Sequence, residues 1–454
     1  MLFRKFARAV TGIEPSARYI AVDIIEMDDD WILDSSAIHL RINFRKLPPL
    51  YFRCETEGLE LGFIHSHPLG VTNFSGKDDI NEQNILKGYS GSNGNNVSLI
   101  SLILSGSQLR ARVRHARNPT SSSPIRHVAI LDKNVDVFLG REMTGDSGVL
   151  LRQEAAFGKP FNRKLQSLRV VIVGAGGTGS AVACLLARAG VGEVIIIDGD
   201  RLEESNLNRV RGYRKADVGK NKALTLATYI KSLDLPVSVL GVDAYVDRSA
   251  EAVDAVSSAD IIFGCTDDVA GRDTLNQAMY YYSLAYIDVG LTGKIDIDED
   301  GYPYLRDHRA RISTILPEFG ACLRCQRIVT QEKLAYERAL RERPELAQLD
   351  SKTLREEYYL IGGGEQAPGV GPFTSATGDL AVATLMNLIK PYRKLPSDLR
   401  QDNIWQDFVN MVIHSNTPLA NDTCFCCGPN GLLLAHEREY RLDMPQLGKI
   451  FKYA

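Results

Sequence analysis

The stretch "LRVVIVGAGGTGSAVACLLARAGVGEVIIIDGD", residues 168–200, opens on an apolar run, meets a set of glycines, continues in a helical pattern and closes on a second apolar run. That order is strand, helix, strand, the unit from which parallel sheets are wound. Gly174, Gly176, Gly177 and Gly179 form G-x-G-G-x-G at the first junction, where missing side chains let a phosphate approach a helix N-terminus. Asp198, ending the second run, is placed to bind ribose hydroxyls. Further apolar runs at "ADIIFGCT" and "LAYIDVGL" extend this unit into a doubly wound α/β sheet.

A dinucleotide oxidoreductase would need little more. This chain continues with Asn206 and Arg209 in "SNLNR" and Lys222 in "DVGKNK", more positive charge than a pyrophosphate bridge requires and suited to a triphosphate. Asp267 in "CTDD" puts a carboxylate at a strand end, able to hold the Mg2+ that accompanies a triphosphate. Together these motifs resemble the adenylation domain of the ubiquitin-activating, MoeB and ThiF superfamily over roughly residues 150–440. The resemblance implies a Rossmann-like fold that binds ATP, with Asp198 on the ribose, Asn206, Arg209 and Lys222 on the phosphates and Asp267 on Mg2+. The family usually carries Asn where this chain has Asp268. "LLRQEAAFG" resembles the family's Arg-Gln lead-in, whose arginine reaches the partner protomer's nucleotide, so Arg152 takes that role and a homodimer is implied. The reaction implied is attack on the α-phosphate of ATP by a C-terminal carboxylate, the glycine tail of a ubiquitin-like protein. Arg209, Lys222 and Mg2+ would stabilise the transferring charge, and the product is an acyl adenylate.

Four of the eight cysteines fall in two C-x-x-C pairs, Cys322 with Cys325 and Cys424 with Cys427, the ligand set of a closed, structural Zn2+ site. Cys426 lies inside the second pair, where spacing favours Cys424. Cys184 and Cys265 are expected in the core, and Cys54 is unplaced. Ubiquitin-activating enzymes that hand on their cargo as a thioester carry a cysteine after the first zinc pair, but residues 326–423 contain none. The adenylate is therefore expected to pass directly to a partner's nucleophile, a conjugating enzyme among the candidates, or to a hydroxyl such as Ser351 or Thr353.

Residues 1–145 mix strand-like runs ("RYIAVDII", "VSLISLILS", "HVAILD") with polar turns and read as a separate α/β unit, leaving 146–454 to the adenylation domain. Within the first unit lies "HSHPLGVTNFSGKDD", residues 65–79. His65 and His67 alternate onto one side of an extended segment and Asp78 returns after a turn, leaving the fourth position of a catalytic Zn2+ for water. Ser75 is placed to donate to a developing oxyanion. This spacing resembles the JAMM (JAB/MPN-plus) metalloprotease motif of deubiquitinases that cut after a ubiquitin-like tail, and so implies a JAB/MPN fold. The family's general base is a glutamate on an early strand, for which Glu14 and Glu26 are the candidates.

The whole chain has 454 residues, 44% hydrophobic and 24% charged, with a formal net charge of -3. That balance disfavours nucleic acid and anionic membrane as partners. No segment reaches the ~18 apolar residues of a membrane span, the opening "MLFRKFARAV" lacks the apolar core of a signal peptide, and the cysteine spacing suits a reducing cytoplasm. The joint expectation is a bacterial-type fusion of a JAMM isopeptidase with an adenylating enzyme. It resembles those encoded with ubiquitin-like modifiers in conjugation and phage-defence operons. Two other readings stand beside it: a sulfur-carrier adenylyltransferase of thiamine, molybdopterin or cysteine synthesis, and a non-enzymatic binding module for the N-terminal half alone.

Overall fold

The computed structural model describes residues 1–8, 10, 12, 16–36, 39–140, 148–349, 353–355, 369–394 and 402–429. Its first part builds β1 (Leu2–Arg8), β2 (Ser16–Asp23), β3 (Ile32–Ser36), β4 (His39–Ile42), α1 (Pro48–Glu57), β5 (Glu60–Ser66), α2 (Gly76–Asn93), β6 (Ser98–Ser105), β7 (Gln108–His115) and β8 (Ser123–Pro124). Six of the strands form one sheet in the order β2-β1-β5-β6-β7-β8, and β3 pairs with β4. Only β5 and β6 run parallel, because α2 carries the chain back between them, while every other neighbour is antiparallel. Prolines open α1 and Gly58, at φ 62°, closes it in the left-handed conformation that glycine adopts freely. α1 and α2 bury Tyr51, Cys54, Ile85 and Leu86 against Leu61 and Leu99, with the Tyr51 and Tyr89 rings stacked 5.4 Å apart. Cys54 is thus a core residue.

A hairpin of β9 (His127–Leu131) and β10 (Val135–Leu139) precedes α3 (Leu151–Phe157) and α4 (Lys159–Ser167). The chain then enters β11 (Arg169–Val173), α5 (Gly177–Arg188), β12 (Glu193–Ile197), α6 (Lys222–Lys231), β13 (Ser238–Val242), α7 (Ala250–Ser257), β14 (Ile261–Gly264) and α8 (Val269–Tyr281). It ends in β15 (Ala285–Ile297), β16 (Pro303–Ile315), α9 (Gln331–Glu342), α10 (Gly371–Ile389), β17 (Asn403–Asp407) and β18 (Val412–Asn416). The second sheet has eight strands in the order β13-β12-β11-β14-β15-β16-β17-β18. Its first five are parallel and the rest antiparallel. All five residues of β11 are buried, as apolar runs in parallel strands must be when helices cover both faces. α5, α6 and α10 pack on one face, and α7 and α8 on the other. The strand order reverses at β11, so a crevice opens at the carboxyl ends of β11 and β14, where doubly wound sheets bind ligands.

The two sheets are joined by packing and by hydrogen bonds. Val135 and Val137 of the hairpin lie in the same core as Phe161 and Leu165 of α4. From β2, Arg18 donates to the carbonyls of Tyr282 and Ser283, at 2.9 and 2.6 Å, just past the end of α8. Phe6 sets its ring edge-on to Tyr282. Among the described residues no helix is long and apolar enough to cross a membrane.

Candidate nucleotide and metal sites

The glycines after β11 divide into two kinds. A Cβ on Gly174, whose φ is 96°, would lie 2.6 Å from the Cys265 carbonyl oxygen, and one on Gly179 would lie 1.8 Å from the Gly174 carbonyl oxygen. These two let α5 and the end of β14 close on the loop. A Cβ on Gly176 would meet nothing within 4 Å, so this glycine faces open space. It is also the N-cap of α5, with no side-chain cap, which leaves the first-turn amides available to an anion.

Asp198, one residue past β12, accepts from the Ala175 amide at 2.6 Å and the Asp200 amide at 2.8 Å. Burial raises its carboxyl above the ordinary carboxylate value. Asn221 caps α6 by accepting from Leu224 N–H, and its amide nitrogen donates to the Asp198 and Asp200 carbonyls and to Asp243. That cap delivers Lys222, whose Nζ donates to Asp200 at 3.0 Å from a side chain only 13% exposed. The Tyr245 hydroxyl donates to the other Asp200 oxygen at 2.8 Å. Burial works to raise the Asp200 carboxyl, but Lys222 and Tyr245 outweigh it and hold it low. Asn206 is buried and accepts from the Glu203 amide. Arg209 donates to the Ser205 carbonyl at 2.7 Å and to the Asn208 carboxamide at 3.0 Å. Both acceptors are neutral, and among the described residues no carboxylate pairs with it. Arg152 is exposed on α3, without a hydrogen bond to any of these groups.

Asp267 is exposed in the turn after β14. The next residue accounts for the departure from the family pattern: Asp268 is the N-cap of α8, accepting from the Gly271 amide at 2.6 Å and from the Thr266 hydroxyl. Asn and Asp fill that position equally well. Two residues with no local sequence signal brace the turn. Arg272 donates Nε and Nη2 to the Thr266 carbonyl at 3.1 and 2.9 Å, and its charge is countered by buried Asp288. Glu337 of α9 accepts from the amides of Val269 and Ala270 at 2.5 and 2.9 Å, across the N-terminus of α8.

The Cys322, Cys325, Cys424 and Cys427 sulfurs lie within 4.8 Å of one another, with Cys322 and Cys424, and Cys325 and Cys427, each 3.5 Å apart. Burial pushes the Cys325 thiol up to about 12. Such a set fits a closed Zn2+ site. Cys426 is fully buried beside it, and a hydrogen bond with Cys426 is the main reason the Cys322 thiol is raised.

The second cluster is local. β5 delivers His65, His67 follows two residues on, and α2 returns Asp78 from its first turn. The Nε2 atoms of His65 and His67 lie 3.0 Å apart, and Asp78 stands 3.0 Å from the first and 3.4 Å from the second. Burial lowers the His65 pKa and keeps the imidazole neutral, as a metal ligand must be. Burial works to raise the Asp78 carboxyl, but the Ser75 amide, the Ser75 side chain and the two imidazoles hold it below its ordinary value. Both Nδ1 atoms are buried without a partner among the described residues. Ser75 is the N-cap of α2: its hydroxyl oxygen accepts from the Asp78 amide at 3.2 Å while its own amide donates to Asp78 at 2.6 Å. The hydroxyl proton remains free to donate. Glu14 lies outside the described residues, and Glu26 is exposed on the loop after β2. Glu82, four residues past Asp78, is 1% exposed and ion-paired through one oxygen to Arg112 and through the other to Arg114, so both oxygens are occupied.

The description "ThiF family" matches residues 150–423, more than half of the chain. The SAMP-activating enzyme E1 of Haloferax volcanii is 33% identical over 162 residues, which is 36% of this chain and 54% of that protein. The molybdopterin-synthase adenylyltransferase of Escherichia coli is 31% identical over 147 residues, covering 31% of this chain and 59% of that one. The adenylyltransferase and sulfurtransferase uba4 of Aspergillus terreus is 41% identical over 115 residues, covering 25% and 24%. Among solved structures, E. coli MccB with MccA-N7isoASN aligns with a TM-score of 0.47 at 21% identity, over 64% of this chain and 78% of that one. The match to the SAMP-activating enzyme spans about half of that relative's length. With the glycine loop, the acidic strand end and the Asp267 turn all inside the matched residues, the chain belongs to the ThiF family.

Proposed function

We propose that the chain adenylates the C-terminal carboxylate of a ubiquitin-like protein bearing a glycine tail. One observation carries this reading: the uncapped N-terminus of α5, Asp198, Lys222 and the Asp267 turn meet at the carboxyl ends of β11, β12 and β14, while Arg209 has no carboxylate partner among the described residues. The α5 amides suit the phosphates, Asp198 the ribose, and Lys222 and Arg209 the charge that moves onto pyrophosphate. A tail carboxylate oxygen forms the new bond to the α-phosphorus, the bond to the β-phosphate oxygen breaks, and pyrophosphate leaves with that electron pair. Asp267 would hold Mg2+, which when bound screens the phosphate charge. Arg152 would complete the site of a second protomer in a homodimer. The test is pyrophosphate exchange with ATP, Mg2+ and candidate ubiquitin-like proteins. Exchange that needs the modifier and falls at least ~100-fold in Asp267→Ala supports the reading. ATP binding without exchange for any such tail refutes it.

The convergence of His65, His67 and Asp78 favours a second activity, a zinc peptidase that trims or removes the same modifier. His65, His67 and Asp78 would hold a Zn2+, which when bound would supply a polarised water, and the Ser75 hydroxyl would donate a hydrogen bond to the oxygen of the attacked carbonyl. Glu26 is exposed and Glu82 is locked in ion pairs, so the described residues offer no placed general base and slow turnover is expected. A bacterial conjugation pathway, in phage defence or elsewhere, would use both activities on one tail, and fusion keeps that tail near both sites. With no cysteine in residues 326–423, the adenylate would pass to a conjugating enzyme or another nucleophile; Ser351 lies outside the described residues. The names of the E. coli and A. terreus relatives favour a sulfur-carrier substrate instead. A thiocarboxylate on the carrier, detected by mass, would select that reading over a protein conjugate.

A further inference from the structure

One face of α8 lies along the first cysteine pair. Asp273, Asn276 and Tyr280 stand at i, i+3 and i+7, the spacing that puts side chains on the same side of a helix. The chain they meet runs in the opposite sense. Asp273 takes Arg324 through both oxygens, at 2.7 Å each, and one turn later the Asn276 carboxamide oxygen accepts from the Leu323 amide at 2.8 Å. Tyr280, a further turn along, arrives beside Cys322, and the two share one packed cluster with Cys426.

Both Asp273 oxygens are occupied, but the other two side chains have donors to spare. Asn276 is 0% and Tyr280 1% exposed, and the Asn276 Nδ2 and the Tyr280 hydroxyl are buried with no hydrogen-bond partner among the described residues. The Leu323 N–H fixes the Asn276 amide's orientation, since only the oxygen can accept it, so the nitrogen is the end left over. Burial, and after it the Cys322, Cys427, Cys426 and Cys325 thiols, raise the Tyr280 phenol, which keeps its proton and stands among the sulfurs. A buried donor without an acceptor is costly, and here two of them lie on one helix face against one cluster. Zn2+ held by four thiolates is the missing acceptor: the set carries net negative charge, and its sulfurs accept hydrogen bonds. The Asn421 N–H already donates to the Cys325 Sγ at 3.3 Å. Arg324, the cation inside the first pair, is turned to Asp273 instead.

We infer that Asn276 and Tyr280 donate hydrogen bonds from α8 to the thiolate sulfurs of the zinc-loaded site. Zn2+ then fastens three segments, the two cysteine pairs and the helix that begins beside Asp267. The inference rests on the cysteine set holding Zn2+ and is independent of what the chain adenylates.

The test uses the full chain carrying Tyr280→Phe, which removes the hydroxyl and keeps the ring. A donor that only the metal-bound thiolates satisfy gives effects of opposite sign. In chelator-treated protein the variant should melt at the parent's temperature or above it, because an unpaired buried hydroxyl is gone, and in zinc-loaded protein it should melt below. Zn2+ affinity, by competition with a chromophoric chelator, should fall ~10- to 100-fold. Co2+ in place of Zn2+ reports on the sulfurs directly through thiolate charge-transfer absorption, which the His65–His67–Asp78 cluster does not give. Losing a hydrogen bond to sulfur should move that band to longer wavelength. Asn276→Asp keeps the acceptor for Leu323 while removing the donor, and should weaken Zn2+ by at least as much. Equal losses in melting temperature with and without metal would make Tyr280 a packing residue and overturn its part, as would an unmoved band with unchanged Zn2+ affinity. Unchanged Zn2+ affinity in Asn276→Asp would overturn the other part. A parent chain with no thiolate–Co2+ band would overturn the inference together with the zinc site.

Discussion

Gly176 and Gly179 sit three residues apart at the start of α5, one its N-cap and the other in its first turn, yet the same substitution should act on them in opposite ways. At Gly179 an added methyl would lie 1.8 Å from the Gly174 carbonyl oxygen, about half of an ordinary contact distance, and 3.1 Å from Cys265 Cβ. The first of these atoms is backbone, so no rotamer relieves the overlap. Gly179→Ala should cost about 3 kcal/mol, the upper end for overpacking, or ~6–12 °C in Tm for a unit of this size. At Gly176 the backbone is extended, at φ -74° and ψ -154°, and nothing stands within 4 Å of the new methyl. Gly176→Ala should therefore fold as well as the parent, or ~0.4–1 kcal/mol better through a stiffer unfolded chain. Its methyl would instead occupy the approach to the α5 amides, and losing one charge-assisted bond to phosphate, ~1.5–3 kcal/mol, weakens ATP ~10- to 100-fold. Thermal unfolding with and without ATP separates the two effects. A Gly176→Ala protein that binds ATP like the parent would show that phosphate does not approach there, and a fully stable Gly179→Ala would refute the close packing.

Three further outcomes follow from the buried charges and sulfurs. Glu82→Gln leaves Arg114, 1% exposed, without its buried carboxylate while Asp79 still holds it. The loss should be about 3 kcal/mol by urea unfolding, the low end for a broken buried pair, and a loss under ~1 kcal/mol would contradict it. Cys322→Ser and Cys424→Ser should each lose a Zn2+ per chain by elemental analysis and lower Tm, whereas Cys426→Ser keeps the metal; loss of metal in Cys426→Ser would make it a ligand. Asp407 is held at about 2, against an ordinary 3.8, chiefly by the Asn410 amide and then by the Asn410 side chain. Because its folded value is depressed, its contribution is complete above about 4 and vanishes as pH falls through about 2, so Asp407→Asn should flatten stability against pH in that window.

What was legible in the sequence was local or periodic. β11, β12 and β14 read as unbroken apolar runs because both faces of a parallel sheet are covered. His65, His67, Ser75 and Asp78 lie on one strand, one loop and one helical turn, so spacing alone brings them together. The cysteine pairs were recognisable as pairs, although only the fold brings residues 322–325 to 424–427. The charged segment from Gln331 forms α9, which ends at Glu342 because Pro344 bars the preceding residue from helix. The braces of the site escaped reading for a different reason. Glu337 meets Val269, Asn221 meets Asp243, and Arg272 meets Asp288 through tertiary contact, and a lone Glu, Asn or Arg carries no pattern that distinguishes it from a solvated side chain.

α8 touches both halves of the molecule. Its first turn is gripped by Asp268 and Glu337 beside Asp267, and the residues just past its last turn are gripped by Arg18 from β2. Its 13 residues make a rod of about 20 Å, too short to bend appreciably. Ten of those 13 residues are buried, so the helix is seated along its length in the core of the second sheet. The two halves therefore share one beam: Arg18→Ala would cut the beam's link to β2 at the Tyr282 and Ser283 carbonyls while leaving its seat in the second sheet's core in place.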